Sequence, residues 1–251
     1  MFDDTRLAAD VENKTKSMKI TAEVLAGMID HALLHPEKSS ASFIKLCSEA
    51  RKYSFFSVCV NPYWVKFCAR ELMGTDVQVV AVVSFPFGQM TSKMKALEAA
   101  EAIGGGASEI DMVMNVGAFK DGNYGYVSRD IEAVVDAVKG NVVKIIIEAG
   151  YLNDEEVVKA CDIARGSGAR FVKTATGFGP IGATVPHVHL IRKTVGPNFG
   201  VKASGGIRTY ADALSMIAAG ANRIGSSHSV KIIAGLMSAI EPRYKVFDKS
   251  R

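Results

Sequence analysis

The chain has 251 residues, of which 48% are hydrophobic and 22% are charged, and its formal net charge is +4. This apolar fraction excludes a disordered chain and is sufficient for the core of one large domain. The positive charge is mild and forms no basic run, so nucleic-acid binding is not indicated, although a slightly positive site would suit an anionic substrate.

The cysteines and the N-terminus both bear on the cellular compartment. The four cysteines form no C-x-x-C pair and no pattern with histidine, which is typical of reduced thiols in a cytoplasmic protein. The first residues contain no apolar segment of a secretory signal, and no stretch approaches the roughly 20 apolar residues of a membrane helix. We therefore expect a soluble cytoplasmic protein with no membrane partner.

The chain begins with a predicted N-terminal helical extension, residues 1–27. Residues 1–18 are polar and weakly amphipathic, which indicates an appended helix or a partly ordered arm. Thr21 then opens a short helical turn, TAEVLAG, which Gly27 closes.

From Met28 onward, apolar runs alternate with helical patterns. The runs that predict strands cover residues 28–34, 55–61, 77–85, 108–115, 142–148, 170–176, 199–205 and 222–227. The helical patterns cover residues 42–53, 63–73, 92–104, 124–139, 154–168, 185–195, 209–219 and 230–240. Eight such repeats predict an α/β fold, a (β/α)8 TIM barrel with parallel strands and right-handed crossovers. No linker interrupts the series, so residues 28–251 are expected to form one catalytic domain.

Two of these strands carry a lysine and run directly into a glycine-rich loop. The segment FVKTATGFGPIG contains Lys173, and the segment VKASGGIR contains Lys202. Upstream, the strand EIDMVMN places Asp111 among apolar neighbours. Active sites of such barrels lie at the C-terminal ends of the strands, so these three side chains are candidate catalytic residues.

A pair of buried lysines has a definite chemical use. Burial disfavours the ammonium form and lowers the pKa of a lysine, and a second lysine nearby lowers it further by like-charge repulsion. The neutral amine can then attack a carbonyl group and form a Schiff base. A nearby aspartate can hold the second lysine, or pass protons through water to the carbinolamine and the enamine.

The loops after the lysine strands are candidates for phosphate binding. Together with GSS at residues 225–227, they could gather backbone N–H groups around a phosphate, because barrels of this class often bind phosphate after strands 7 and 8. Such glycine turns are weak signals by themselves, since most of them only require a positive φ.

Other polar residues on the predicted strands have more than one interpretation. Asp30 and Cys59 could point into a pocket, and Cys59 could equally be a small core residue. For Lys144 we favour an edge or snorkelling position, or a structural pair with Glu148. The five histidines show no ligand spacing, so neither a metal nor a cofactor is indicated.

Seven segments carry a family resemblance. They are VKTATGFG, VKASGGIRT, SEIDMVMNVGA, FFSVCVNPYWV, DHALLHPE, VVSFPFG and RIGSS. They resemble the motifs of the deoxyribose-phosphate aldolase family over about residues 28–232. The resemblance implies a class I aldolase on a (β/α)8 barrel, which reversibly cleaves 2-deoxy-D-ribose 5-phosphate into D-glyceraldehyde 3-phosphate and acetaldehyde.

The same resemblance implies roles for individual residues. Lys173 matches the Schiff-base lysine, Lys202 the lysine that tunes it, and Asp111 the proton-relay aspartate. The implied phosphate-binding positions are Gly177, Gly205, Gly206, Ser226 and Ser227. The implied partners are a sugar phosphate and aldehydes, and the implied assembly is a homo-oligomer, either a dimer or a tetramer.

The sequence departs from the family pattern at several positions. Ala32 stands for a usual threonine, His35 for a common lysine, Ala175 for a common serine, Ile181 for a usual glycine, and His228-Ser229 for a small residue followed by glycine. The last two departures fall in the phosphate loops and bear on affinity. None removes the lysines or Asp111, so we expect an active enzyme.

Two alternatives to this function stay open. One is a Schiff-base aldolase that acts on a different aldehyde. The other is a catalytically silent barrel that only binds a sugar phosphate or a partner, in which the set of two lysines and one aspartate should be broken. In this sequence the set is intact.

Overall fold

The computed structural model describes residues 4–240 and contains a closed barrel of eight parallel strands. The strands are β1 (Ile29–Leu33), β2 (Ser57–Val60), β3 (Gln78–Val83), β4 (Glu109–Val113), β5 (Val142–Ile146), β6 (Phe171–Lys173), β7 (Gly200–Ser204) and β8 (Arg223–Ser226). Each strand pairs with the next in sequence, and β8 pairs with β1 to close the ring. The predicted (β/α)8 barrel is therefore confirmed. Residues 1–3 and 241–251, the two ends of the predicted extension and domain, lie outside the described residues.

Helices alternate with the strands in the predicted order. They are α1 (Asp4–Ser17), α2 (Ala22–Ala26), α3 (Ser40–Tyr53), α4 (Val65–Glu71), α5 (Ser92–Gly104), α6 (Val116–Lys120), α7 (Tyr124–Ala137), α8 (Asp154–Gly166), α9 (Val185–Val195), α10 (Tyr210–Ala219) and α11 (Ser229–Ile240). Two 3-10 turns, Pro62–Trp64 and Ala149–Tyr151, precede α4 and α8. Asn153 and Thr209 begin α8 and α10 with capping boxes, which fix where these helices start.

Every strand ends one to three residues before its predicted run does, and the ends of β4 and β5 bear on the site. β4 stops at Val113 and Asn115 caps the short helix α6, with its Oδ1 accepting the N–H of Ala118 at 3.1 Å. β5 stops at Ile146, and Glu148 adopts a left-handed backbone with φ of 49°. Both chain segments therefore turn away from the sheet at the carboxyl end of the barrel, where the functional loops begin.

The N-terminal extension packs onto the barrel. Helix α1 contacts α9 and α10, and its Val11 is 5% exposed and joins the main hydrophobic core. Thr21 caps α2 by accepting the N–H of Val24 at 3.3 Å, and Gly27 follows the last turn, as predicted. The extension thus contributes to the core, while its treatment as a unit separate from residues 28–251 stays a prediction.

The strands separate apolar and charged side chains onto two faces. Residues such as Ile110 point toward the helices and form the main core, whereas Asp111 points into the barrel. The interior also contains a small apolar cluster of Cys59, Val80 and Val82. The interior is therefore only partly apolar, unlike the branched-residue layers that fill most barrels of this class. Within residues 4–240, no helix combines the length and the apolar character needed to cross a membrane.

Val11→Ala should lower the free energy of unfolding by about 1–2 kcal/mol, because each buried methylene contributes about 0.8 kcal/mol and truncation leaves a cavity. If α1 is part of the cooperative unit, the single urea-unfolding transition of the whole chain should move to lower urea. Asn13→Ala, at an exposed position of the same helix, is the control. A separate early transition, with the main one unchanged, would show that the extension unfolds independently.

Candidate active site

The carboxylate of Asp111 on β4 lies at the centre of the barrel interior. Its Oδ2 accepts hydrogen bonds from Nζ of Lys173 at 2.9 Å and Nζ of Lys202 at 2.7 Å, and its Oδ1 accepts one from Nζ of Lys144 at 2.9 Å. All four side chains are at most 3% exposed. The strand register places Asp111 beside Lys144 and Lys173 beside Lys202. The backbone of the barrel therefore brings these groups together.

Asp30 on β1 holds the other side of Lys202. One of its oxygens is paired with Nζ of Lys202. Its second oxygen, Oδ1, accepts hydrogen bonds from Ser57 Oγ at 2.7 Å and from Arg223 Nη1 at 2.9 Å. The structure thus places Asp30 inside the barrel, where it fixes Lys202 from the side opposite Asp111.

Arg223 on β8 and Glu109 on β4 extend the network. Nη1 of Arg223 donates to Oε2 of Glu109 at 2.9 Å, and Nζ of Lys144 lies 2.5 Å from the same oxygen. The guanidinium also lies over the ring of Phe56, 3.5 Å from its centroid. The buried ion pairs therefore form one continuous chain from Lys173 to Glu109.

The interpretation of Lys144 from the sequence was wrong. Lys144 is fully buried and pairs with Glu109 and Asp111. It therefore does not lie at an edge, and its partner is not Glu148. Glu148 instead accepts hydrogen bonds from the N–H and the hydroxyl of Thr176. The sequence interpretation also missed Glu109 and Arg223. The signal for Glu109 was available, since it lies two residues before Asp111 on the same strand face.

The network keeps Asp111 and Lys202 charged. Burial alone would raise the pKa of Asp111, but the cations of Lys144, Lys173 and Lys202 outweigh it and hold this pKa well below its usual range. Burial alone would lower the pKa of Lys202, but the carboxylates of Asp111 and Asp30 outweigh it and raise this pKa above its usual value. At neutral pH, Asp111 is therefore a carboxylate and Lys202 an ammonium ion.

A cavity of about 300 Å³ opens over this network at the carboxyl ends of the strands. Its lining includes Lys173 and Lys202 but neither Asp111 nor Asp30. The two lysine side chains therefore lie between the cavity and the buried carboxylates. A small molecule in the cavity would meet an amine before it met a carboxylate.

Cys59 both lines the pocket and belongs to an apolar cluster, which are the two positions that the sequence analysis left open. Its Sγ lies 3.9 Å from Oδ2 of Asp111, and its side chain lines the cavity. It also belongs to the small apolar cluster inside the barrel. Burial raises the pKa of this thiol, so it is protonated at neutral pH and is not a thiolate nucleophile.

The glycine loops after β6 and β7 touch each other at the cavity rim. Gly177, Gly205 and Gly206 have φ values of 88°, 89° and 78°, which favour glycine. The N–H of Ala183 donates to the carbonyl of Gly205 at 3.0 Å, and a Cβ on Gly182 would overlap that carbonyl. The loops can approach this closely because neither has a side chain at the contact.

The loop after β8 joins the same rim. Ser226 Oγ donates to the carbonyl of Ile207 at 2.7 Å and accepts the N–H of His228 at 2.9 Å. This ties the loops after β7 and β8 together. The residues predicted for phosphate binding all line the cavity: Gly177, Gly205, Gly206, Ser226 and Ser227.

The family departures fall in different places. Ala32, His35 and His228 line the cavity. Ile181 does not, because its side chain packs against Gly150 on the outer side of the loop. Ile181 therefore has no contact with the cavity through which it would alter phosphate binding directly. Ser229 is buried beneath the rim and donates to the carbonyl of Ser226 at 2.9 Å.

Glu148 fixes the loop that follows Lys173, a role that the sequence interpretation missed. Its Oε2 accepts the N–H of Thr176 at 3.1 Å and also the hydroxyl of Thr176. Thr176 Oγ1 in turn accepts the N–H of Phe178 at 3.0 Å. A Cβ on Gly179 would lie 2.7 Å from the Glu148 carboxyl group, so the loop lies directly against it.

His31 illustrates the structural role expected of the histidines. Its ring nitrogens lie 3.0 Å from Ser229 Oγ and 3.0 Å from Glu49 Oε2, and burial lowers its pKa. Across residues 4–240, no group of three or more His, Cys, Asp or Glu side chains is placed to hold a metal ion. Metal-independent activity nevertheless stays a prediction.

The fold and the site together define a class of protein. A closed (β/α)8 barrel places two lysines beneath a cavity at the carboxyl ends of its strands, with a buried aspartate that accepts hydrogen bonds from both. This arrangement is that of a barrel enzyme acting on a carbonyl compound through an amine.

Comparisons with known proteins identify the family. A family model described as DeoC/LacD family aldolase matches residues 24–238. The deoxyribose-phosphate aldolase of Streptococcus sanguinis is 56% identical over 207 residues, covering 82% of this chain and 94% of that protein. That of Thermococcus gammatolerans is 54% identical over 220 residues, covering 86% and 97%. The tetrameric deoxyribose phosphate aldolase of Aeropyrum pernix has a similar structure, with a TM-score of 0.87, 31% identity and coverage of 93% and 99%. The chain belongs to the DeoC/LacD family of aldolases, which confirms the resemblance seen in its motifs.

Asp111→Asn should weaken the acid dependence of stability. Because the pKa of Asp111 is depressed in the folded state, its ionisation contributes stability above the unfolded-state pKa of about 3.9, and this stability is lost as the pH falls through the folded-state pKa. Urea unfolding from about pH 6 to about pH 2.5 should show a shallower loss in the variant, which starts about 3–5 kcal/mol less stable. Asp136→Asn, at an exposed position, should keep the wild-type slope. An unchanged slope in Asp111→Asn would contradict the depressed pKa.

Proposed function

We propose that this chain reversibly cleaves 2-deoxy-D-ribose 5-phosphate to D-glyceraldehyde 3-phosphate and acetaldehyde, with Lys173 forming the Schiff base. Membership of the aldolase family supports the reaction type. The names of relatives that align over nearly their whole length support the substrate. The role of each residue is supported by the geometry of the charged network and the cavity.

The observation that carries the proposal is the charge count of the buried network. Three carboxylates meet four basic groups: Asp30, Glu109 and Asp111 with Lys144, Lys173, Lys202 and Arg223. An uncompensated charge in a buried site is costly, because the low-dielectric surroundings do not solvate it. The network becomes neutral when one basic group loses its proton.

Lys173 is the basic group with the fewest carboxylate partners and the one that faces the cavity. Lys144, Lys202 and Arg223 each contact two carboxylates, whereas Lys173 contacts Asp111 alone. Lys173 also lines the cavity, so its amine can reach a ligand. Lys202 keeps its proton because Asp30 and Asp111 hold it from two sides. An amine at this position is the nucleophile that Schiff-base chemistry requires.

The reaction then follows from these charge states. Nζ of Lys173 attacks the C1 aldehyde of the open-chain sugar, and loss of water from the carbinolamine gives an iminium ion. Removal of the C3 hydroxyl proton breaks the C2–C3 bond, whose electrons flow into the iminium as an enamine, and D-glyceraldehyde 3-phosphate leaves. Protonation of the enamine carbon and hydrolysis of the imine then release acetaldehyde and restore Lys173.

Asp111 and Lys202 serve these steps from beneath the cavity. The carboxylate of Asp111 contacts the lysine that reacts, so it can pass protons through water to the carbinolamine and the enamine. The ammonium of Lys202 shares the same carboxylate oxygen as Lys173. Cys59 and Asp30 support this arrangement without forming a bond to the substrate.

The loops at the rim are assigned to the 5-phosphate. Backbone N–H groups of the glycine loops can approach phosphate oxygens closely because no side chain intervenes. Gly206 has open space where a side chain would lie, so its vicinity can admit a ligand. Arg208 also lines the cavity and adds positive charge to it. A rim of this kind suits a phosphate dianion.

A borohydride-trapping experiment tests the role of Lys173. With acetaldehyde or deoxyribose phosphate and borohydride, the protein should be inactivated, and acetaldehyde should leave an N-ethyl group on Lys173. Lys173→Leu is the control and should resist inactivation under the same conditions. EDTA should change neither activity nor trapping, because the amine needs no metal. An adduct on Lys202 instead of Lys173, or no site-specific adduct, would refute the assignment.

A substitution at Gly206 tests the phosphate site. Gly206→Asp should reduce the kcat/KM advantage of deoxyribose 5-phosphate over deoxyribose by about 10- to 100-fold, because a carboxylate at the rim repels the dianion and replaces charge-assisted hydrogen bonds. Gly206→Asn is the matched control, since asparagine has the same size and tolerates the same positive φ. It should lose much less of the preference, and both variants should keep acetaldehyde trapping.

Two outcomes would redirect the proposal. No wild-type preference for the phosphorylated sugar would exclude the loops as a phosphate site and favour an aldolase for another aldehyde. Absence of both turnover and trapping would favour the silent, sugar-phosphate-binding barrel.

A further inference from the structure

A second cavity lies at the carboxyl end of the barrel, beside the catalytic cavity over Lys173. Its volume is about 340 Å³, within the range of about 300–1,000 Å³ that is typical of small-molecule sites. It lies over the ends of β3, β4, β5 and β6, and its lining includes Val113 and Glu148. Thr176 and Phe178 line both cavities. The loop after β6 therefore divides the mouth of the barrel into two cavities.

Three exposed aromatic side chains line this second cavity. Phe87 is 79% exposed, Tyr151 is 55% exposed and Phe178 is 46% exposed. In the part of the chain that the structure describes, none of these three rings stacks on another of them, although Phe178 contacts His35 and Phe85. The rings are therefore available to a ligand that enters the cavity. Exposed apolar residues are common when single, but several around one cavity indicate a binding site.

Glu148 places a buried carboxylate against the same cavity. Its side chain is 3% exposed, and its Oε2 accepts hydrogen bonds from the N–H and the hydroxyl of Thr176. Among residues 4–240, its Oε1 has no hydrogen-bond partner and no basic side chain pairs with the carboxylate. Lys120 also lines the cavity, but its Nζ donates to Glu156 at 2.6 Å, so its charge is paired elsewhere. A buried carboxylate is ordinarily paired with a cation, which this one lacks within the described chain.

We propose that the second cavity binds a small organic cation of the quaternary ammonium class. The faces of aromatic rings carry partial negative charge and attract a cation, and several rings around one cavity are the usual way in which proteins recognise quaternary ammonium groups. The carboxylate of Glu148 supplies the opposite charge, and its attraction is strong because the surroundings are of low dielectric. A neutral or anionic ligand of the same shape gains neither attraction.

The position of Oε1 favours a quaternary ammonium ion over a primary amine. This atom is buried against the backbone of Gly179, where an added Cβ would lie 2.7 Å from it. A ligand in the cavity therefore experiences the charge of Glu148 without a direct hydrogen bond to Oε1. A quaternary ammonium ion has no N–H group to satisfy, so ring faces and a nearby negative charge are all that it requires.

The second cavity does not depend on the amine that reacts. Lys173 lines the catalytic cavity, and the lining of the second cavity includes neither Lys173 nor Lys202. Binding of a cation should therefore persist in a protein that cannot form a Schiff base. The site can be tested separately from the proposed aldolase reaction.

Calorimetric titration of the full-length protein with two ligands of one shape tests the site. The first is choline, and the second is dimethylbutanol, the neutral alcohol in which a carbon atom replaces the choline nitrogen. Choline should bind the wild type at least about 10-fold more tightly, because only the cation is attracted by the rings and the carboxylate. Lys173→Leu should keep this preference, which distinguishes failure of this site from failure of the aldolase mechanism.

Variants of the cavity lining assign the binding to this cavity. Phe87→Ala and Tyr151→Ala should each weaken choline binding by about 2- to 30-fold, the range expected for loss of one cation–π contact. Glu148→Gln should weaken it by about 10-fold, because glutamine keeps an acceptor for Thr176 but removes the charge. Tyr63→Ala is the control, since this ring is 83% exposed and lies outside the cavity.

Circular dichroism establishes that each variant is folded, and the two ring variants decide the matter if Glu148→Gln does not fold. Three results would each overturn the proposal. They are no binding of choline to the wild type, equal affinities for choline and the neutral alcohol, and unchanged choline affinity in both Phe87→Ala and Tyr151→Ala.

Discussion

The interior of this barrel depends on one buried carboxylate, that of Asp111. It accepts hydrogen bonds from lysines on β5, β6 and β7. Without it, three amines would face one another in a low-dielectric interior with too few partners, which is among the most destabilising arrangements available to a protein. Asp30 gives Lys202 a second carboxylate, Glu109 gives Lys144 a second one, and both carboxylates pair with the arginine of β8. Lys173 is left with one carboxylate contact and a place at the cavity.

Charged side chains lie beneath the cavity, and backbone groups of the loops form its rim. Reactive and charged side chains project from strands, where pairing fixes their positions. The rim is made of glycine loops tied to one another by backbone and serine hydrogen bonds. Glu148 secures the loop after Lys173 to the end of β5. Such a rim can offer backbone N–H groups to an anion, and Arg208 adds a positive side chain beside them.

The sequence predicted most of the fold because alternating apolar runs and helical patterns recur eight times with few interruptions. It also pointed to Lys173, Lys202 and Asp111, since charged residues on apolar strands are rare and these lie next to glycine loops. It could not assign the partners of Lys144, because Glu109 and Asp111 lie on the neighbouring strand β4 and meet Lys144 only through the strand register. It could not show which side of its loop Ile181 faces, because that is set by tertiary packing.

The charge balance of the network is tested most directly by the pH profile of imine trapping in variants that change its charge. Lys202→Met removes one positive charge from the carboxylate that Lys173 contacts, so imine trapping should move to alkaline pH. The double variant Asp30→Asn/Lys202→Met removes one charge of each sign, so trapping should return toward the wild-type profile. Identical pH profiles for the wild type and a folded Lys202→Met variant would contradict the charge balance on which the account rests.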